Sequence, residues 1–128
     1  MVILDTNIII DHLRQIGAKE TAFIKIAQEI TRENLAVSVI TIQELYEGIS
    51  TRNAKTEAYL LDIASPLKIY PYTYEIAQLA GEIARDFARP IEFADAAIAA
   101  TAIVNGAILA TLNRRHFVGV KNLELFNI

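Results

Sequence analysis

Residues 1–10 read MVILDTNIII, and this stretch decides how the rest of the chain is interpreted. Val2-Ile3-Leu4 is a short run of branched apolar residues, which is typical of a buried strand. Asp5-Thr6-Asn7 follows at once, so three polar side chains stand where that strand ends. Because the stretch carries Asp5 and Asn7 and no basic leader, we expect a first strand rather than a signal peptide.

Apolar runs of strand length recur along the 128 residues, and segments with helical periodicity separate them. The further predicted strands are residues 35–40, 67–70 and 107–110, with a short edge strand at 123–126. The predicted helices begin at Thr21, near Lys55, near Ile76 and after Pro90, and the last one ends near Asn105-Gly106. This alternation predicts one α/β domain over residues 1–128, with parallel strands and a ligand site outside their carboxyl ends.

The composition limits the chemistry that the protein can perform. The chain has no cysteine, which excludes disulfides, thiolate zinc sites and cysteine nucleophiles, so we expect a cytoplasmic protein. A formal net charge of −3 argues against general electrostatic binding of nucleic acid, which relies on many contacts from Lys and Arg to phosphate. The longest apolar stretch, residues 93–112, contains Asp95 and Asn105, so we expect no membrane span.

Three carboxylates follow predicted strands or lie on an apolar helix face. Asp5 ends the first strand and is as suited to capping the next helix as to binding a ligand. Glu44 closes the segment Thr41-Ile42-Gln43-Glu44, which by itself fits a helix capping box better than a ligand. Asp95 shares a predicted helix face with Ile98, Ala99 and Ala102, so it must be paired, hydrogen-bonded or coordinated to a cation.

A divalent cation would relieve the repulsion between carboxylates that meet at one rim of a sheet. Oxygen donors, with no cysteine and only His12 and His116 as imidazoles, suit Mg2+ or Mn2+ better than Zn2+. Neither histidine has zinc-site spacing to a partner, so each is predicted to be a surface residue or to support the ligands. Basic side chains at Arg14 and at Arg114-Arg115 are either solvated or form a local contact to phosphate.

Three segments, taken in order, resemble the PIN-domain family, and most closely its VapC-type toxins from toxin-antitoxin pairs. The segments are DTNIIIDHLR from Asp5, VSVITIQELYEGI from Val37 and IEFADAAIAATAIVNGAILATLNRRHF from Ile91. Each is a weak signal alone, but three in the family's order are specific. The resemblance implies a three-layer α/β/α sandwich with a mostly parallel sheet, and an acidic pocket that binds one or two Mg2+ or Mn2+ ions.

The resemblance also implies the site residues. Asp5, Glu44 and Asp95 match the family's first three acidic positions, and Asn113 falls at the fourth, where many VapC-type members also carry asparagine. Two residues match supporting positions: Asn7, which helps to hold the pocket together, and Thr111 beside the metal. His116 departs from the family, in which an acidic residue often precedes the phenylalanine. Fewer negative charges at Asn113 and His116 should weaken a second metal site or make it depend on an RNA phosphate.

The implied activity is that of a metal-dependent endoribonuclease that cleaves single-stranded or unpaired RNA, with no organic cofactor. Asp5 and Asp95 would ligate the ion, and Glu44 would be a third ligand or would hold a water of its hydration shell. Arg114 or Arg115, and less favourably Arg14, would contact a neighbouring phosphate.

The implied partners are RNA, a VapB-type antitoxin and a second copy of the chain. Residues 51–64 carry more apolar side chains than one helix face can bury, namely Tyr59, Leu60, Leu61 and Ile63. With the first helices, this region would form the homodimer contact and a groove for the antitoxin, unless these residues simply pack in the core.

Two other classes of protein carry acids at strand ends. Phosphotransfer enzymes and receiver domains need a second aspartate in a DxD pattern and a lysine after a late strand as a phosphate clamp. Asp5-Thr6-Asn7 supplies no second aspartate, and no lysine follows a late strand here. A non-catalytic binding module, whose acidic pocket receives a basic tail of another protein, fits Asn113 and His116 moderately well. Affinity for Mn2+, measured by calorimetry, distinguishes this module from the nuclease.

Overall fold

Strands and helices alternate along the chain in the computed structural model, which describes residues 1–128. The strands are β1 (Val2–Leu4), β2 (Leu35–Ser38), β3 (Lys68–Tyr70) and β4 (Ile108–Ala110). The α-helices are α1 (Thr6–Arg14), α2 (Ala22–Glu29), α3 (Val39–Glu47), α4 (Ala54–Ala64), α5 (Tyr74–Asp86) and α6 (Phe93–Val104). Short 3-10 turns lie at Arg32–Asn34, Ile49–Arg52 and Arg114–His116.

The four strands form one parallel sheet in the order β3-β2-β1-β4. Val2 of β1 lies opposite Leu35 of β2 on one side and Ile108 of β4 on the other. The first strand is therefore interior, and the segments that follow β1, β2 and β4 leave the sheet side by side at one rim. In open parallel sheets this rim is where ligands bind.

Alternate side chains of β1, β2 and β4 enter two separate cores, one on each face of the sheet. Val2 and Leu4 of β1 pack in the first core, whereas Ile3 packs in the second. Buried residues of α1, α2 and α4 complete the first core, and those of α5 and α6 cover the other face. The predicted three-layer α/β/α sandwich with a parallel sheet is thus confirmed.

Helix α6 lies flat on the second face because its buried side is made of small residues. Its fully or almost fully buried alanines, none more than 2% exposed, are Ala96, Ala97, Ala99, Ala100 and Ala102. Since α6 leads into the parallel strand β4, its first turn lies at the rim where the strands end. Asp95 is in that turn. Neither α6 nor any other helix is long and apolar enough to cross a membrane.

Three local predictions are wrong. The second strand ends at Ser38 rather than at residue 40, because the Ser38 hydroxyl accepts a hydrogen bond from the Ile40 amide (3.1 Å) and caps α3. Helix α3 therefore begins at Val39, and Thr41 to Glu44 lie inside it instead of forming a capping box. The predicted edge strand at 123–126 is only one bridge, between Leu125 and Leu109.

Candidate functional site

Asp5 follows β1 directly and is a buried carboxylate, only 5% exposed. It is the N-cap of α1, and its Oδ1 accepts a hydrogen bond from the Thr6 amide at 2.7 Å. Its Oδ2 accepts one from the Thr111 hydroxyl, also at 2.7 Å. The helix-cap interpretation is therefore confirmed. The cap uses Oδ1 of Asp5, while Oδ2 contacts Thr111 at the end of β4.

Thr111 and Asn7 connect the ends of β1 and β4 through side-chain hydrogen bonds. The Asn7 amide group donates to Thr111 Oγ1 (3.3 Å), and Asn7 Oδ1 accepts from the Leu112 amide (3.2 Å). Asn113 joins the same network through its backbone amide, 3.0 Å from Thr111 Oγ1, while its side chain is exposed. These bonds fix the orientation of the Asp5 carboxylate.

Glu44 reaches the rim from α3, in the layer of the first core. The Thr6 hydroxyl lies 2.6 Å from Glu44 Oε1 and 2.9 Å from Thr41 Oγ1. Because an ionised carboxylate can only accept, the Thr6 proton points to Glu44. Thr6 therefore contacts both acids, Asp5 through its backbone amide and Glu44 through its hydroxyl. The sequence analysis missed this role, although Thr6 stands inside the polar triplet that ends β1.

Asp95 projects from the first turn of α6, and its side chain is 18% exposed. Its Oδ2 lies 3.3 Å from Nδ1 of His116. The chain's other close contact between a basic and an acidic side chain, Arg85 with Asp86, lies on the surface. The partner that the sequence analysis required for Asp95 is therefore a histidine from the loop after β4.

Both aspartates have a pKa above the ordinary value for a carboxyl group. Burial raises the pKa of Asp5 to about 6, and the negative charges of Asp95 and Glu44 add to this rise, while hydrogen bonds from Thr111 and Thr6 oppose it. Burial also raises the pKa of Asp95, and Glu92 adds to the rise, whereas His116 opposes it. The negative charges of both other acids therefore contribute to the raised pKa of Asp5.

The donor atoms at this rim fit a partly hydrated divalent cation. No three carboxylate or imidazole side chains lie close enough to enclose an ion by themselves. Mg2+, however, is commonly held by one or two carboxylates and keeps several waters. Burial is the main cause of the raised pKa of both Asp5 and Asp95, and the charge of Asp95 adds to the rise at Asp5. A cation bound between them would oppose both effects by favouring the ionised carboxylates.

Two cavities lie beside the acidic side chains. The three arginines predicted to contact phosphate differ in which of these cavities they line. A cavity of about 530 Å³ is lined by Asp95, Arg115 and His116 among others. A second cavity, of about 620 Å³, is lined by Glu44 and Arg14 among others. Arg114 lines neither, and its guanidinium donates to the Phe126 carbonyl at 2.8 Å.

Two more charged residues near Asp95 were missed by the sequence analysis. Glu92 is the N-cap of α6 and lines the same cavity, and its spacing of three residues from Asp95 could have indicated this. Arg89 donates hydrogen bonds to the carbonyls of Arg115 and Val118. No sequence pattern predicts that contact, because it joins two loops that are distant along the chain.

Residues 2–122 match the family described as "PIN domain". Ribonuclease VapC19 of Mycobacterium tuberculosis is 36% identical over 129 aligned residues, which cover 97% of this chain and 98% of the relative. Ribonuclease VapC10 of the same organism is 33% identical over 127 residues, covering 97% and 91%. A crystal structure of VapBC2 from Rickettsia felis bound to a promoter DNA fragment superposes with a TM-score of 0.84 at 25% identity, covering 99% of this chain and 98% of the other.

Proposed function

The chain belongs to the PIN-domain family and to its VapC group, and from this premise we propose that it is a metal-dependent endoribonuclease that cleaves unpaired RNA. The observation that carries the proposal is the position of the three acids. Asp5 and Glu44 are joined through Thr6, and the charge of Asp95 is felt at Asp5. Carboxylates that different elements bring to one rim of the sheet repel one another, and this repulsion costs stability unless a cation is bound.

In this proposal Asp5 and Asp95 hold Mg2+ or Mn2+, and Glu44 is a third ligand or contacts a water of the hydration shell. The bound ion would supply positive charge for the scissile phosphate and lower the pKa of a nearby water. Hydrogen bonds from Thr6 and Thr111 keep the Asp5 carboxylate in one orientation. Burial of the site strengthens the attraction between its charges and the ion.

The chain's own side chains would position the RNA. Arg115 lines the cavity beside Asp95 and can contact the neighbouring phosphate, whereas Arg14 is placed to do so only on the Glu44 side. Arg114 is the weakest of the three candidates, because its guanidinium already bonds to the Phe126 carbonyl. The exposed amide of Asn113 can contact substrate or orient a water, as a neutral group at the fourth position of the pocket.

We further propose that the protein pairs with a VapB-type antitoxin and with a second copy of itself. The exposed apolar side chains near α4 support this: Ile49 is 78% exposed and Leu61 54%. The cavity between α1, α3 and the turn Ile49–Arg52 offers a groove that reaches Glu44. An antitoxin segment seated there would block access to the acids.

The activity is tested by incubating a structured RNA that contains unpaired loops with the wild type, Asp95→Asn or Asp86→Asn, each with Mg2+. Asp86 is the control, because it is an exposed aspartate paired with Arg85. We expect equal cleavage by the wild type and Asp86→Asn. We expect Asp95→Asn to be slower by about 100-fold, the equivalent of losing about 3 kcal/mol of stabilisation of the transition state.

Equal rates for Asp95→Asn and the wild type would exclude the proposed role of Asp95. A wild type that neither cleaves RNA nor binds Mn2+ would instead favour the non-catalytic module with an acidic pocket for a basic protein tail. Circular dichroism of each variant shows that the fold is retained.

A further inference from the structure

The imidazole of His116 faces the site from the loop after β4. Its Nδ1 is 3.3 Å from Oδ2 of Asp95, and both side chains line the cavity of about 530 Å³. The His116 side chain remains 43% exposed, so a solvent molecule or an ion can reach it. No arginine or lysine side chain forms an ion pair with Asp95.

Asp95 and His116 both lie on backbone segments whose positions are fixed by packing and hydrogen bonds. Asp95 lies in the first turn of α6, whose next residues are buried against the sheet. His116 ends the turn Arg114–His116, and its amide donates to the Asn113 carbonyl at 3.0 Å. Arg89 bonds to the carbonyls on either side of it, those of Arg115 and Val118. The approach of the imidazole to the carboxylate is therefore preorganised.

The separation of the two side chains suits neighbouring ligands of one ion. Two ligands at right angles, each about 2.1 Å from an octahedral ion, are about 3 Å apart. The distance of 3.3 Å between His116 Nδ1 and Asp95 Oδ2 differs little from this value. We propose that His116 is a nitrogen ligand of the divalent ion, beside Asp95, and that it biases the centre toward Mn2+ over Mg2+. This proposal rests on the proposed function, which assigns a divalent ion to the acids.

The preference follows from the chemistry of the donors. Mg2+ is a hard cation that selects oxygen ligands, whereas Mn2+ accepts imidazole as well as carboxylate. Replacing one oxygen donor by an imidazole nitrogen therefore weakens the binding of Mg2+ more than that of Mn2+. Asp95 and His116 would supply one carboxylate oxygen and one imidazole nitrogen. Water would complete the shell and leave positions for a phosphate.

The direct test is pulsed electron paramagnetic resonance of the untagged protein loaded with Mn2+, which detects nitrogen bound to the ion. The chain provides a matched control, because its only other histidine, His12, lies 2.8 Å from the Thr21 hydroxyl and packs on Phe23. We expect modulation from histidine nitrogen in the wild type and in His12→Asn, and its loss in His116→Asn. Modulation that persists in His116→Asn, or that is absent from the wild type, would overturn the proposal.

Calorimetry with MnCl2 and MgCl2 tests the selectivity of the wild type and of His116→Asp. We expect the ratio of the Mg2+ and Mn2+ dissociation constants to fall by about tenfold or more in His116→Asp, since even supporting residues change metal affinity by this much. An unchanged ratio would contradict the proposal. A wild type that binds Mn2+ without nitrogen modulation refutes the role of His116 alone, whereas a wild type that binds neither ion refutes the proposed metal centre as well.

Discussion

At the scale of single residues, Asp5 has a carboxyl group that is buried, hydrogen-bonded and close to other negative charges. Its pKa in the folded protein is about 6, above the ordinary value of 3.8, with burial as the main cause. The folded state therefore holds the proton more tightly than the unfolded state. The resulting contribution to stability is full below pH 4 and is lost as the pH rises through 6.

This shift predicts how the metal-free protein responds to pH. Relative to Asp5→Asn, the wild type should lose about 2 kcal/mol of unfolding free energy between pH 4 and pH 7.5. Urea unfolding of both proteins in EDTA measures the difference at each pH. Adding Mn2+ at pH 7.5 should recover stability in the wild type and much less in Asp5→Asn. A difference between the two proteins that does not change with pH would show that Asp5 is not strained by its surroundings.

At the scale of elements, α4 divides its apolar residues between the core and the surface. Leu60 and Ile63 are buried, as the core-packing interpretation predicts, whereas Tyr59 and Leu61 are 38% and 54% exposed. The core-packing interpretation is therefore correct for Leu60 and Ile63, whereas the contact with another chain stays a prediction for Tyr59 and Leu61. The outer pair is available to another protein chain.

If α4 forms a homodimer contact, a charge at Leu61 should separate the two copies. We expect sedimentation velocity to show a dimer for the wild type and a monomer for Leu61→Glu at the same micromolar concentration. The control is Ile128→Glu, which places the same charge at a residue that is 48% exposed at the carboxyl terminus, and this variant should remain dimeric. A monomeric wild type, or a dimeric Leu61→Glu, would contradict this contact.

The positions of most elements could be predicted because hydrophobic periodicity is a local property of the sequence. The start of α3 could not, since Ser38 and Thr41 are both good helix caps and the local signals do not distinguish them. Contacts between α3 and the end of β1 determine where the helix starts. With the helix starting at Val39, Thr41 and Glu44 both reach the Thr6 hydroxyl at the end of β1.

At the scale of the whole molecule, the site depends on the order of the parallel strands. Because β1 lies between β2 and β4, the residues after β1 meet α3 and the loop that contains Thr111. The sequence could predict this rim from the polar residues that follow apolar runs. It could not predict that His116 approaches Asp95, because that contact depends on the path of an irregular loop and on Arg89.

The proposed function requires a divalent cation to bind among Asp5, Glu44 and Asp95. The most direct test is the anomalous scattering of crystals soaked in MnCl2, recorded on both sides of the manganese absorption edge. We predict one strong manganese peak within about 2.5 Å of carboxylate oxygens of both Asp5 and Asp95. A map with no peak at this rim, or with manganese bound only elsewhere on the protein, would contradict the claim.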